Sequence, residues 1–271
     1  MTRMEELFSV KGKTALVTGG ARGLGRICAE TLVAAGARVL IASRKAGDCL
    51  AAAEELSAFG SCEGFGGDVG TEAGVEAMTA EVKARTDRLD ILVNNSGATW
   101  GAPFEAFGWD AWQRVLSVNV IGLFTLTRNL MPMLVASAQP NDPSRIVNIG
   151  SMVGTLPLAD NAYSYATSKA GVHHLTRILA NEFAERSVNV NAIAPGPFKT
   201  RMTAHALGEA DMQAHAASTV PVGRIGEPDD LAAAILYLCG KGGSFVTGAI
   251  LPLDGGLTVQ TRKHMFKGDP A

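Results

Sequence analysis

An α/β fold built on a parallel sheet with helices on both faces is predicted by three features of this sequence. Short apolar runs alternate with longer helix-like segments, a glycine-rich turn follows the first run, and no internal repeat or interdomain linker interrupts the pattern. Strands buried on both faces read as continuous apolar runs, and their alternation with helices marks a parallel sheet. Such runs fall at residues 14–18, 38–42, 63–67, 89–94, 145–149, 188–194 and 249–253. Glycines dilute the third of them, at 63–67. Helical segments fit residues 24–35, 48–59, 71–85, 109–136, 162–186 and 229–239. Two segments depart from the alternation. Residues 138–144 form a polar, turn-rich loop with two prolines. Residues 197–221 exceed a usual connection and carry Phe198, Met202, Leu207 and Met212, which suits a lid over a site. The chain reads as one domain, residues 1–271, with a core at 10–257 and a polar tail at 261–271.

Composition narrows the function classes. Hydrophobic residues make up 47% and charged residues 18%, which supports a sizeable core and argues against wholesale disorder. A net charge of −2 and a pI near 6.2 recommend neither nucleic acid nor an anionic membrane as partner. No uninterrupted apolar run approaches the length of a membrane span, and residues 1–10 carry Arg3, Glu5 and Glu6 without a signal-like stretch. Cys28, Cys49, Cys62 and Cys239 are scattered, which reads as free buried thiols and a cytoplasmic location. His173, His174, His205, His215 and His264 lack metal-ligand spacing, so no metal site is expected.

The chemistry centres on Tyr165 and Lys169. Residues four apart share a helix face, so this pair points a phenol and an ammonium the same way. A nearby positive charge favours the ionised phenol and brings its pKa towards the working range. Ser151, from a neighbouring strand end, can polarise a carbonyl oxygen while the phenol protonates it. Spacing alone is weak evidence, because Tyr237 and Lys241 repeat it. There the context is an apolar helix ending at Gly240, and the position fourteen before Tyr237 is Gly223, without a hydroxyl. A core tyrosine and a lysine at a helix C-terminus account for that second pair.

At the other end of the candidate site, Thr18-Gly19-Gly20-Ala21-Arg22-Gly23-Leu24-Gly25 follows the first strand and opens a helix. Backbone amides at such a turn bind a pyrophosphate, and glycines permit its close approach. The spacing departs from G-x-G-x-x-G, since Cys28 stands at the third-glycine position. Gly12-Lys13-Thr14 resembles the tail of a triphosphate-binding loop, but it precedes the strand and lacks the upstream glycine, so that reading is rejected. An acidic residue at the end of the second strand would hold a free ribose hydroxyl, whereas a basic one accommodates a 2′-phosphate. Here Ser43, Arg44 and Lys45 follow that strand, with no carboxylate before Asp48, and Arg22 lies in the turn. The pair Arg22 and Arg44 favours NADPH over NADH.

Taken in order, these motifs resemble the short-chain dehydrogenase/reductase family along nearly the whole chain. The resemblance implies a Rossmann-like, doubly wound, seven-stranded parallel sheet of order 3-2-1-4-5-6-7. It implies Asn119, Ser151, Tyr165 and Lys169 as the catalytic set. Tyr165 would donate the proton, Lys169 would hold the nicotinamide ribose and lower the phenol's pKa, Ser151 would bind the carbonyl oxygen, and Asn119 would anchor a water. The NADPH/NADP+ contacts it implies are Gly19, Arg22, Gly23, Leu24 and Gly25 in the turn; Ser43 and Arg44; Asp68, at the adenine amine, and Val69; Asn95 and Gly97; Tyr165 and Lys169; and Pro195, Gly196, Phe198 and Thr200. Ser96 replaces the family's usual alanine, and the Ser151-to-Tyr165 spacing is about one residue longer than in many relatives. Tyr163 would shorten it, but Thr167 stands four residues on, so Tyr163 reads as packing or substrate lining.

Within the family the chain is most similar to 3-oxoacyl (β-ketoacyl) thioester reductases of the rhamnolipid-synthesis type. Trp100, Phe104, Met152, Leu156, Phe198 and Met202 are candidate linings for an acyl cleft. A basic Arg186 suits an acyl carrier protein, whereas Asn141 and Asp142 oppose an acidic carrier helix, so a coenzyme A thioester stands beside it. A sugar, polyol or other secondary-alcohol dehydrogenase is the rival enzyme; a cofactor-sensing or assembly protein is the rival of another class, and the complete Ser151, Tyr165 and Lys169 set argues against it. The resemblance also implies a homotetramer paired through the long helices at 109–136 and 162–186 and the last strand.

Overall fold

Seven strands pair side by side in one sheet: β1 (Thr14–Thr18), β2 (Arg38–Ser43), β3 (Cys62–Gly66), β4 (Ile91–Asn94), β5 (Ser144–Ile149), β6 (Val188–Pro195) and β7 (Ile250–Leu253). Their order is β3-β2-β1-β4-β5-β6-β7, and every ladder is parallel. The expected order is therefore the observed one. This is a computed structural model, which describes residues 2–158, 161–200, 203 and 207–260. Met202 and the 261–271 tail lie outside them.

Alternate strand residues feed two cores. Val17, Ile41, Val93 and Ile149 pack on one face against α2 (Gly23–Ala34), α3 (Ala46–Leu56) and α9 (Pro228–Cys239). Leu16, Leu40, Leu92 and Ile146 pack on the other against α4 (Glu72–Arg85), α6 (Leu123–Ser137) and α7 (Tyr163–Phe183). Both faces are covered, which is why the strands read as unbroken apolar runs rather than alternating ones. The glycine-diluted β3 pairs with β2 from Cys62 to Gly66. Gly64 earns its place there, since a Cβ would overlap the Cys49 carbonyl.

Three features were not anticipated. Helix α1 (Arg3–Phe8) is closed by a capping box between Thr2 and Glu5. Helix α8 (Ala210–Thr219) occupies part of the long insertion, whose flanks Phe198, Leu207 and Val220 are buried. The segment expected as one helix at 109–136 is instead α5 (Trp109–Leu116), a π-helical turn at Ser117–Gly122, and α6. Gly122 closes that turn against the Val69 carbonyl, where no Cβ fits.

By length and composition the run Trp109–Ser137 reaches the apolarity of a membrane span, with a mean hydropathy of 1.4, although Asn119, Arg128 and Asn129 interrupt it. Its Leu126, Leu130 and Leu134 are fully buried against the sheet. Apolarity here serves the core, and the π turn breaks the helix in mid-run.

At the sheet edge formed by strand N-termini, Asp90 is 1% exposed. It accepts from the Thr14 amide at 2.9 Å and from Arg88 at 2.8 and 2.7 Å. Removing it leaves the buried Thr14 amide unpaired, while the exposed Arg88 turns to solvent. Asp90→Ala is expected to lower unfolding free energy by about 1–3 kcal/mol in urea titration, with kcat unchanged.

Candidate active site

The C-terminal ends of β1, β4, β5 and β6 lie along one edge, and the chain leaves each through a motif that the sequence singled out. After β1, Gly19 and Gly23 take φ of +67° and +56°, a region that side chains disfavour. A Cβ on Gly25 would overlap the Asn95 amide and the Gly19 carbonyl. The first turn of α2, through Gly23, Leu24 and Gly25, has no side-chain cap. Its free amides and the helix N-terminus suit an anion.

Asn95, expected at the cofactor, ties β4 to this turn through its side chain. Its amide donates to the carbonyls of Thr18 at 2.9 Å and Gly19 at 3.3 Å. The Thr18 hydroxyl accepts from the amides of Asn95 and Ser96, both at 3.0 Å. Thr18, read from the sequence as the first residue of the turn, is the hydroxyl that joins it to the end of β4. Ser96 reaches the turn through its backbone amide, which is indifferent to the replacement of alanine.

At the end of β2, Ser43 accepts from the Cys49 thiol at 3.1 Å. Arg22 and Arg44 are exposed, and neither has an acidic partner among the described residues. Asp68 accepts from the Gly70 amide at 2.9 Å, while the Val69 side chain is buried in the core. Pro195 ends β6, and the Gly196 amide donates to Leu253 at 2.9 Å. Thr200 lies beside the glycine turn, its side chain 3.7 Å from where a Cβ on Gly23 would sit. Phe198 is 4% exposed and packs over Gly226, so it belongs to the core rather than to a cofactor or acyl surface.

The four residues of the proposed catalytic set converge. The Asn119 carbonyl oxygen accepts from the Ala98 amide at 2.7 Å. Its amide donates to the Ala98 carbonyl and to Ser168, both at 2.9 Å. The Asn119 side chain is thus committed to the chain leaving β4 and to Ser168, and the π turn aims it there. Gly97 faces the same point: a Cβ on it would lie 3.6 Å from Asn119 Oδ1 and 3.8 Å from Lys169 Nζ. Lys169 is 5% exposed and donates to the Ile149 carbonyl at 2.7 Å. Its Nζ stands 5.6 Å from the Tyr165 ring centroid.

Ionisation differs from the expectation that Lys169 would lower the phenol's pKa. Burial raises the Tyr165 pKa above its ordinary value, and a hydrogen bond with Ser151 opposes the rise. Burial also lowers Lys169 to about 8. Desolvation penalises both charged forms, and the serine is the partner that favours phenolate.

An apolar cavity of about 650 Å³ lies nearby, lined by Phe104, Phe107, Trp112, Leu156 and Tyr163 among others. Phe107 and Phe104 stack edge-on against Tyr163, with centroids 5.2 and 5.8 Å away. Tyr163, Ala166, Thr167 and Ala170 line it from α7, a different face of that helix from Tyr165 and Lys169. Of the acyl-cleft candidates, Phe104 and Leu156 line this cavity; Trp100 is instead stacked beneath Arg114. In the second Tyr-x3-Lys pair, Tyr237 is 39% exposed rather than core. Among the described residues no group of three His, Cys, Asp or Glu is placed to hold a metal.

A doubly wound sheet with a glycine turn at β1 and a Ser-Tyr-Lys cluster at β5 and α7 defines a dehydrogenase/reductase scaffold. Residues 19–258 match the family model described as enoyl-(acyl carrier protein) reductase. The rhamnolipids biosynthesis 3-oxoacyl-[acyl-carrier-protein] reductase of Pseudomonas aeruginosa is 41% identical over 93% of this chain and 99% of its own. A galactitol 2-dehydrogenase (L-tagatose-forming) of Cereibacter sphaeroides is 38% identical over 93% of this chain and 98% of its own. The solved Pseudomonas aeruginosa RhlG/NADP active-site complex superposes with a TM-score of 0.91 at 41% identity, covering 93% of this chain and 99% of that one. The chain belongs to the short-chain dehydrogenase/reductase family.

A buried lysine with a lowered pKa leaves a pH signature. Between about 8 and the ordinary 10.5, the unfolded lysine holds a proton that the folded one has released. Stability from this group therefore rises with pH across that window and is lost as pH falls through it. The gain in unfolding free energy from pH 8 to 10.5 is expected to be smaller in Lys169→Met than in the wild type, as read by denaturant titration at each pH.

Proposed function

We propose that the protein is an NADPH-dependent oxidoreductase that reduces a ketone to a secondary alcohol, the ketone being a 3-oxoacyl thioester of acyl carrier protein or coenzyme A. The observation that carries the reading is the buried Tyr165 phenol, influenced by Ser151 and set 5.6 Å from the Nζ of buried Lys169. A phenol whose pKa is raised stays protonated near neutrality and is a proton donor, as reduction requires.

The residues at the strand ends fit a dinucleotide. Uncapped amides of Gly23, Leu24 and Gly25 suit its pyrophosphate, and unpaired Arg22 and Arg44 suit a 2′-phosphate. When bound, the nicotinamide supplies a hydride to the carbonyl carbon. Ser151 and Tyr165 hold the carbonyl oxygen, and the phenol proton passes to that oxygen as negative charge develops on it. Lys169 Nζ lies 5.6 Å from the ring centroid, and burial favours the return of a proton from solvent to the phenolate. Asn119 holds the Ala98 backbone and Ser168, so it positions the floor of the site.

The thioester reading draws on the relative whose name includes 3-oxoacyl-[acyl-carrier-protein] reductase. Asp142, expected to repel an acidic carrier, bonds to Lys13 at 2.6 Å, which offsets its charge. Arg186 lies over Phe183 at 5.3 Å and leaves a cation beside α7. A polyol or sugar substrate is the second reading, favoured by the similarity to the galactitol dehydrogenase. The four cysteines are free and buried, which supports a cytoplasmic setting. Ile121 and Ile178, 60% and 48% exposed on the long helical elements, support pairing of subunits towards a homotetramer; sedimentation as a monomer alone would sink that part.

A panel of 3-oxoacyl thioesters and keto-sugars, run with NADPH and NADH, tests the reading. Thioester turnover with NADPH is expected; turnover of keto-sugars alone would replace the substrate. Tyr165→Phe is expected to cut kcat by about a thousandfold, since general acid catalysis contributes on that order. Replacing Arg22 and Arg44 together by alanine is expected to raise KM for NADPH about tenfold while leaving KM for NADH nearly unchanged.

A further inference from the structure

His173 touches both flanks of Ser151. It lies on α7 one turn beyond Lys169 and two beyond Tyr165. Its side chain is 4% exposed. Gly150 and Gly154 bracket Ser151, and the imidazole fills the space that a side chain would need at either. A Cβ on Gly154 would lie 2.7 Å from its Cε1 and 2.8 Å from the Lys169 backbone carbon. One on Gly150 would overlap Nε2 and lie 2.8 Å from Cδ2. Nδ1 stands 3.5 Å from the hydroxyl of Thr155, the residue that ends the same turn.

Ordinary packing does not account for a histidine at this place. Nε2 is buried without a hydrogen-bond partner among the described residues, which counts against stability. Burial, Lys169 and Arg177 hold its pKa at about 4, so the ring adds no charge beside the lysine near neutrality. The segment it props is short: β5 ends at Ile149, whose carbonyl holds Lys169, and a 3-10 turn at Met152–Gly154 follows Ser151. With the ring gone, the two glycines leave that turn free to settle onto the helix.

We propose that His173 is a positioning residue for carbonyl reduction: its imidazole is a spacer between α7 and the Gly150–Thr155 turn, and it sets the height at which the Ser151 hydroxyl meets Tyr165. The inference rests on the roles given above to Ser151 and Tyr165. It deepens them by naming what holds the serine in place.

The test compares full-length His173→Ala, His173→Asn, Gly150→Ala and the double variant His173→Ala/Gly150→Ala. The substrate is a 3-oxobutanoyl thioester, or the keto-sugar if the panel favours it, and NADPH affinity is read by fluorescence. His173→Ala is expected to lower kcat about tenfold or more with NADPH affinity within about twofold, because misplacing a reacting group costs rate rather than cofactor binding. His173→Asn, whose flat amide keeps the contact with Thr155, should return to within about threefold of the wild type. Gly150→Ala expels the ring and should resemble His173→Ala. The double variant should exceed Gly150→Ala alone, because the two nearest obstacles to the added methyl, both imidazole atoms, are gone and the Ile193 carbonyl lies at 3.2 Å.

Unchanged kcat in His173→Ala, or kcat and NADPH affinity falling together, overturns the spacer. So does a loss that neither His173→Asn nor the double variant relieves. If His173→Ala does not fold, His173→Asn against Gly150→Ala and the double variant carries the same comparison. Ser151→Ala separates the two levels: full activity there removes the serine reading itself, whereas its loss beside normal His173 variants removes only the spacer.

Discussion

The hydrogen bond between the side chains of Asn94 and Asn148, in the middle of the sheet, is the interaction on which the site's geometry depends. The Asn94 amide donates to Asn148 Oδ1 at 2.9 Å and to Thr127 at 3.0 Å. The Asn148 amide donates in turn to Thr176 at 2.9 Å. Both threonines accept in this way while donating back within their own helices. Four elements, β4, β5, α6 and α7, are thereby fixed in register through groups that water does not reach. Orphaning one of them would cost about 1–3 kcal/mol, so sliding either helix along the sheet is strongly resisted.

The whole proposed catalytic set hangs from those four elements. Asn119 is delivered by the π turn before α6, Ser151 by the exit from β5, and Tyr165 and Lys169 by the first turns of α7. The cofactor end hangs from β4 too, because Asn95 and Ser96 grip Thr18 and the glycine turn. A single polar seam therefore sets the distance between the glycine turn proposed for a dinucleotide and the cluster proposed to donate a proton.

Electrostatics within the site runs against ionisation. Burial favours neutral Tyr165 and pushes Lys169 down to about 8, and the lysine's strongest contact is a backbone carbonyl rather than the phenol. A protonated tyrosine is the reactive form for reduction, so desolvation here supports the direction of chemistry proposed for the site.

The sequence by itself determined the sheet, because strands buried on both faces must be continuously apolar, and even the glycine-diluted β3 stood out between helices. It also determined the Tyr165/Lys169 pair and the glycine turn, since both follow from spacing within one local element. Tertiary structure decided the rest. The side chains of Asn95 and Asn119 found partners, Thr18, Ala98 and Ser168, that come from elsewhere in the chain. Phe198 went into the core, and an apolar run of spanning length went against the sheet. The pKa of Tyr165 rose because burial outweighs the opposing influence of Ser151, and burial is a property of how distant segments meet. Periodicity reports which face a residue occupies; only packing decides what that face meets.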